Sequence, residues 1–299
     1  PVSIQSEDQV DLTKNKTKNM ENNPTQIYWS FNKEKKLWNV TCEVTNKLPA
    51  GLYTGMYNNM ADQWFFEEKK IKTDKLINIP GSKADIILKE IELFWAKEDN
   101  FRKYGFLQRR GYLLYGPPGS GKTAIVEQVL AKVIELDGIG FICRNPVSLS
   151  RTLQYYRSID QNRKIVCLFE DLDSIIDNCG DDELLSYLDG ENQIDKVINI
   201  ATTNYPNKLD KRIINRPRRF DVIINVPFPE EHLRVAYFKE KLKINGKELA
   251  EWVKLTKGFS FAGCADLIIH VKCLNEDLTE AAAKVRSLLY DKIDEVKFE

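Results

Sequence analysis

Paired cysteines, histidine-based metal spacing, charge of one sign and long apolar runs are all missing from this sequence. The six cysteines, Cys42, Cys143, Cys167, Cys179, Cys264 and Cys273, include no CxxC pair and share no ligand spacing with the two histidines. A zinc site or disulfide framework is therefore not expected. Cys143 and Cys167 lie inside apolar runs, where a thiol behaves as a small hydrophobe, so reduced thiols and a cytoplasmic setting are expected. No stretch approaches the roughly 18 apolar residues of a membrane helix, which argues against a membrane span. Lys+Arg and Asp+Glu both total 44, so no net field draws the chain to nucleic acid or anionic membrane. No internal repeat is visible.

What remains is ordinary globular material: 299 residues, 42% hydrophobic and 29% charged, enough for two or three compact units. Residues 1–24 are polar and read as a flexible arm. Residues 25–82 read as a small β-containing module, in which Tyr28–Phe31 and Leu37–Val44 form a hairpin and Tyr53–Phe66 is a second aromatic-rich stretch. After Pro80-Gly81-Ser82, residues Ile86, Ile87, Glu90, Ile91 and Phe94 put an apolar stripe at helical spacing. Short apolar runs then alternate with helical patterns: Tyr112–Tyr115, Ile139–Cys143, Ile165–Phe169, Val197–Thr202 and Val222–Val226. That alternation predicts βαβ units and a parallel sheet over 83–229. After Pro227-Phe228-Pro229 only helical patterns follow, so 230–299 read as a helical bundle.

The first apolar run is followed by Gly116-Pro117-Pro118-Gly119-Ser120-Gly121-Lys122-Thr123-Ala124 and then a helix pattern. This is the full GxxxxGK[ST] phosphate loop between a strand and a helix. Glycines let main-chain N–H groups face phosphate oxygens, and the helix N-terminus adds positive potential. Lys122 is expected to reach the β- and γ-phosphates, and the Thr123 hydroxyl to ligate Mg²⁺.

The third run ends in Glu170-Asp171-Leu172-Asp173, acids at the C-terminal edge of a sheet beside the phosphate loop. Glu170 is assigned to the magnesium shell and Asp171 to activation of the attacking water. The blander alternative is that both acids cap the next helix. The fourth run ends at Asn204, an uncharged donor and acceptor suited to the attacking water or the γ-phosphate. Arg216-Pro217-Arg218-Arg219-Phe220-Asp221 follows, with guanidinium groups that can stabilise a transferring phosphoryl group or merely form a basic surface turn. Asn207-Lys208-Leu209-Asp210 spells the guanine-reading NKxD, but three residues separate it from the strand end, so ATP rather than GTP is expected.

In order, residues 109–123, 168–173, 184–190, 201–204, 209–210 and 216–221 resemble the AAA-family (AAA+) ATPases. Within them, the Glu-Asp order is similar to the branch containing the mitochondrial Rieske-protein translocase. The resemblance implies an α/β P-loop NTPase with a parallel five-stranded sheet of order 5-1-4-3-2 and a C-terminal helical lid. It also implies a homo-oligomeric ring, commonly of six or seven subunits, with Arg216 and Arg219 reaching the neighbour's nucleotide. The expected activity is ATP hydrolysis with Mg²⁺, coupled to remodelling or translocation of a protein client. The alternatives are a nucleotide-gated assembly module with little turnover and, less favoured, a nucleic-acid motor. Where unfoldase relatives carry an aromatic pore-loop motif with Gly, Arg144–Leu149 has no aromatic, which argues against threading of unfolded chains.

Overall fold

The computed structural model describes residues 28–32, 37–41, 45–60, 63–70, 77, 79–189, 193–214 and 216–294. The proposed arm at 1–24 and Cys42 lie outside them. Two compact units are present, residues 1–48 and 49–299. In the first, β1 (Tyr28–Asn32) and β2 (Leu37–Thr41) pair antiparallel, with Trp29 opposite Val40 and Phe31 opposite Trp38. This is the hairpin that the β-branched and aromatic residues predict.

The second unit opens with β3 (Gly51–Asn58) and β4 (Gln63–Glu68), then α1 (Lys83–Trp95) and α2 (Glu98–Lys103). Strands and helices then alternate: β5 (Arg109–Tyr115), α3 (Lys122–Glu135), β6 (Ile139–Ile142), α4 (Pro146–Ile159) and β7 (Ile165–Phe169). After α5 (Leu172–Cys179) and α6 (Asp181–Asp189) come β8 (Val197–Thr203), α7 (Lys211–Ile214) and β9 (Val222–Asn225). The chain ends in α8 (Glu231–Leu242), α9 (Gly246–Leu255), α10 (Phe261–Ile268), a π-helical turn at Ile269–Cys273, and α11 (Leu278–Asp294). None of the described helices is long and apolar enough to cross a membrane.

The sheet runs β4-β3-β6-β7-β8-β5-β9. Its five expected strands keep the order 5-1-4-3-2, and β6, β7, β8, β5 and β9 are all parallel. The fold is that of a P-loop NTPase. The strand count is corrected from five to seven. Strands β3 and β4, expected within a separate N-terminal module, instead extend the β6 edge. There β3 pairs parallel with β6 through Gly51–Tyr53 and antiparallel with β4. An aromatic-rich stretch does not announce the sheet edge it joins.

Every residue of β7 and β8 is buried, as expected for strands covered on both faces. Ile87, Ile91 and Phe94 of α1 join that core. The lid has a core of its own around Phe238, Trp252, Phe259 and Leu267, to which Ile79 contributes. The five described cysteines are free thiols. Burial pushes the Cys167 and Cys264 thiols up to about 12, so they act as packing groups.

Candidate nucleotide site

The phosphate loop leaves β5 at Gly116, whose φ is +152° and where a Cβ would lie 2.2 Å from the Val226 carbonyl oxygen. Gly119 has φ +72°, and a Cβ there would lie 3.0 Å from Ser260 Oγ of the lid. Only glycine meets both conditions without strain. Pro117 and Pro118 complete the turn. Gly121 stands at the N-cap of α3, which has no side-chain cap and no acid in its first turn. Its leading N–H groups, from Lys122, Thr123 and Ala124, are thus open to an anion. Ser120 Oγ is buried beside them without a hydrogen-bond partner. A cradle with unused donors and no acid in that first turn fits phosphate.

Lys122 Nζ donates to the carbonyls of Gly116 (2.7 Å) and Pro117 (3.0 Å) and to Asn204 Oδ1 (2.6 Å). Burial lowers the ammonium's pKa, while the charges of Asp171 and Asp173 oppose that shift. Because β8 lies between β5 and β7, three neighbouring strand tips meet at this one ammonium. They carry the loop, the acids and Asn204.

Glu170 and Asp171 form the turn after β7, both exposed. Asp171 adopts a left-handed conformation (φ 50°) at the N-cap position of α5, yet its side chain makes no cap hydrogen bond. Its N–H donates to Thr202 Oγ1 (3.1 Å), and Thr203 Oγ1 donates to Asp173 Oδ1 (2.7 Å). The capping alternative is therefore not what holds Asp171, and its carboxylate is left toward Lys122. Desolvation and then the charge of Asp171 raise the pKa of Glu170, while burial and then the charge of Glu170 raise that of Glu127. Glu127 follows Thr123 by one helical turn, and α3 packs on β7, so Glu170 neighbours the α3 face that carries Thr123. Among the described residues no three His, Cys, Asp or Glu side chains converge to cage a metal unaided. Mg²⁺ ordinarily takes one or two protein oxygens and completes its shell with phosphate and water.

The two arginines are not part of this constellation. Arg219 is only 4% exposed. Its Nε donates to Asp189 Oδ2 (2.9 Å), and its other nitrogens contact Asp189 and the Arg212 carbonyl. Arg216, with a 66% exposed side chain, shares the same carboxylate at 2.9 Å. Asp221 ties the turn to the start of β5 by accepting from the N–H groups of Gly111 (3.2 Å) and Arg218 (2.7 Å). Gly111 and Tyr115 are four strand residues apart, about 13 Å, so the turn is anchored toward the end of β5 away from the phosphate loop. Arg219, expected like Arg216 to reach a neighbour, has its guanidinium enclosed by its own subunit.

Asp189→Ala should cost about 3 kcal/mol, because it leaves the buried Arg219 charge without its carboxylate; denaturant unfolding measures this. Hydrogen bonding from Arg219 holds the Asp189 carboxyl below its ordinary 3.8, with the charges of Arg219 and Arg216 adding to the shift. Its stabilisation is therefore complete above that ordinary value and is lost as pH falls through the lower folded one.

Sequence reasoning missed the cleft beside the loop. It has a volume of about 400 Å³ and is walled by Ile77, Ile79, Phe228, Leu233, Tyr237 and Phe261, with Ser120, Gly121 and Ala124 at one end. The Ala262 N–H donates to the Gly119 carbonyl (3.4 Å), so the lid helix α10 rests on the phosphate loop. Only the Pro227-Phe228-Pro229 punctuation hinted at this wall. The NKxD look-alike is spent locally, since Asp210 accepts from the Arg212 N–H (2.6 Å) and Nε (3.0 Å).

Residues 112–228 match the family model described as "ATPase family associated with various cellular activities (AAA)". The matched stretch runs from β5 to the start of the lid and contains every candidate site residue.

Proposed function

We propose, from the premise that residues 112–228 form an AAA ATPase domain, that the chain hydrolyses ATP with Mg²⁺ as a homo-oligomeric ring and uses the turnover to remodel or move a protein client. The observation that carries this reading is the 2.6 Å bond from Lys122 Nζ to Asn204 Oδ1 in the field of Asp171 and Asp173. In it, the main-chain amides of 116–124 hold the triphosphate and Lys122 compensates the β- and γ-oxygens. Thr123 and Glu170 hold the ion, which when bound neutralises charge developing on the phosphate. Asp171 orients the attacking water and accepts its proton, while Asn204 positions the same water. The apolar cleft takes the base.

Arg216 is the residue proposed to reach a neighbouring subunit. Arg216→Ala should leave nucleotide affinity unchanged and slow phosphate release by about 10³-fold at concentrations where the ring forms. Undiminished release by that assembled variant would sink the trans role. Imaging the wild type with and without a slowly hydrolysed ATP analogue tests the ring; a monomer under both conditions contradicts it.

The client is proposed to be something other than a threaded, extended chain. Only residues 143–145 join β6 to α4, and Pro146–Leu149 already lie in the first helical turn. The branch resemblance rests on the Glu170-Asp171 order alone. The β1–β2 hairpin is a candidate client contact. A second reading, ATP-gated assembly with little turnover, is favoured by the shortness of Asp171, one methylene shorter than a glutamate at that place.

A further inference from the structure

The segment between α2 and β5 holds two aromatic rings out to solvent. Tyr104 is 67% and Phe106 59% exposed, and α2 before them has no buried residue. The segment is nevertheless fixed. Gly105, at φ +70°, donates its N–H to the Arg102 carbonyl (3.1 Å), and the Phe106 N–H donates to the Phe101 carbonyl (2.9 Å). That pair of bonds is the glycine-turned ending of a helix, and it presents both rings already ordered. Each ring carries a cation. Lys103 Nζ lies 5.5 Å from the Tyr104 ring centre, and the Arg218 guanidinium lies 5.6 Å from that of Phe106. Among the described residues no carboxylate pairs with either cation. Glu98 and Asp99 take Arg102, Asp221 accepts from main-chain N–H groups, and Asp189 is shared by Arg216 and Arg219. Aromatic rings beside an arginine are the usual centre of a protein interface.

The place of this patch says what covers it. It precedes β5 and β9, so it lies at the N-terminal edge of the parallel strands, with Arg216 on the same turn as Arg218. The phosphate loop and Glu170-Asp171 follow their strands and lie at the opposite edge, about 20 Å away along β5 (Arg109–Tyr115). The acidic tip carries one sign. Residues 165–195 contain no Lys or Arg, and Glu170, Asp171 and Asp177 are exposed. Of the cations nearby, Lys122 is buried, and Lys83 and Lys241 line the cleft on the β9 side of the loop. Within one chain the two edges cannot meet; between two copies they can. Patch against identical patch would set Arg216 and Arg218 against their own likeness, so the contact joins unlike faces. Such a contact repeats from copy to copy, into a ring where the rotation closes.

We propose that Tyr104, Phe106 and Arg218 form a docking surface for a second copy of this chain, seated against the acidic strand tips beside that copy's phosphate loop. The inference rests on the reading of the chain as a ring with Arg216 acting in trans, and it names the residues that hold neighbours together.

Sedimentation velocity of the full chain with a slowly hydrolysed ATP analogue, over a range of protein concentrations, is the test. Phe106→Ser and Arg218→Glu should each raise the concentration needed for assembly by about thirtyfold or more, the loss expected at an interface centre. Both residues lie at the other edge from the phosphate loop. A fluorescent ATP analogue should therefore bind both variants within about threefold of wild type, which shows that they are folded. Tyr104→Ser replaces either one that does not bind it. Assembly of these variants at the wild-type concentration overturns the inference and leaves the ring standing. Wild type that stays monomeric at every concentration overturns the ring reading and the inference with it, so the two failures are distinguishable.

Discussion

Lys122→Ala is expected to lower ATP affinity by on the order of a hundredfold or more. Hydrogen bonds to charged groups contribute about 1.5–3 kcal/mol each. Two such bonds to the phosphate oxygens are therefore worth at least about 3 kcal/mol, and each 1.4 kcal/mol is a factor of ten. The same ammonium now binds the Gly116 and Pro117 carbonyls and Asn204, so its removal also loosens the loop that presents the amides. Lys122→Met restores most of the stem and separates the two effects. If the methionine variant regains affinity, loop packing matters more than charge; if it stays weak, charge does. Titration with a fluorescent ATP analogue measures both, and unchanged affinity in both variants would remove Lys122 from the site.

Asp171→Ala should keep nucleotide affinity within about threefold while phosphate release falls by about 10²–10⁴, the usual contribution of a positioned general base. The prediction follows from where the carboxylate is left. Thr202 Oγ1 fixes the backbone of Asp171, its side chain does not cap α5, and Lys122 lies within its field. Asp171→Glu, one methylene longer, should retain far more activity than the alanine variant if reach to the water matters. Phosphate release by Asp171→Ala equal to wild type would favour ATP-gated assembly over turnover.

Much of this was legible in the sequence because it is encoded locally. The phosphate loop is contiguous, and the acids and Asn204 each end an apolar run, so naming the runs as parallel strands already places their tips on one edge. What was not legible depends on distant partners. Arg216 and Arg219 look alike in a basic turn, and only the packing of Phe220 and the position of Asp189 decide which guanidinium is enclosed. The apolar cleft is assembled from four separate segments, and no local pattern says that they meet. Tyr53–Phe66 read only as an aromatic-rich stretch, and the docking of β3 on β6 rests on three residues of parallel pairing, Gly51–Tyr53, too few to leave a signature.

That docking sets the limits of the cooperative unit. The recognisable motifs begin at β5, yet β6 depends on β3 for its outer row of main-chain partners, and α1 covers the apolar layer beneath. A fragment trimmed to the motif-bearing stretch would keep the phosphate loop, the acids and Asn204. It would also bare a sticky flank of unsatisfied amides and carbonyls, inviting self-association through an edge that the longer chain keeps closed.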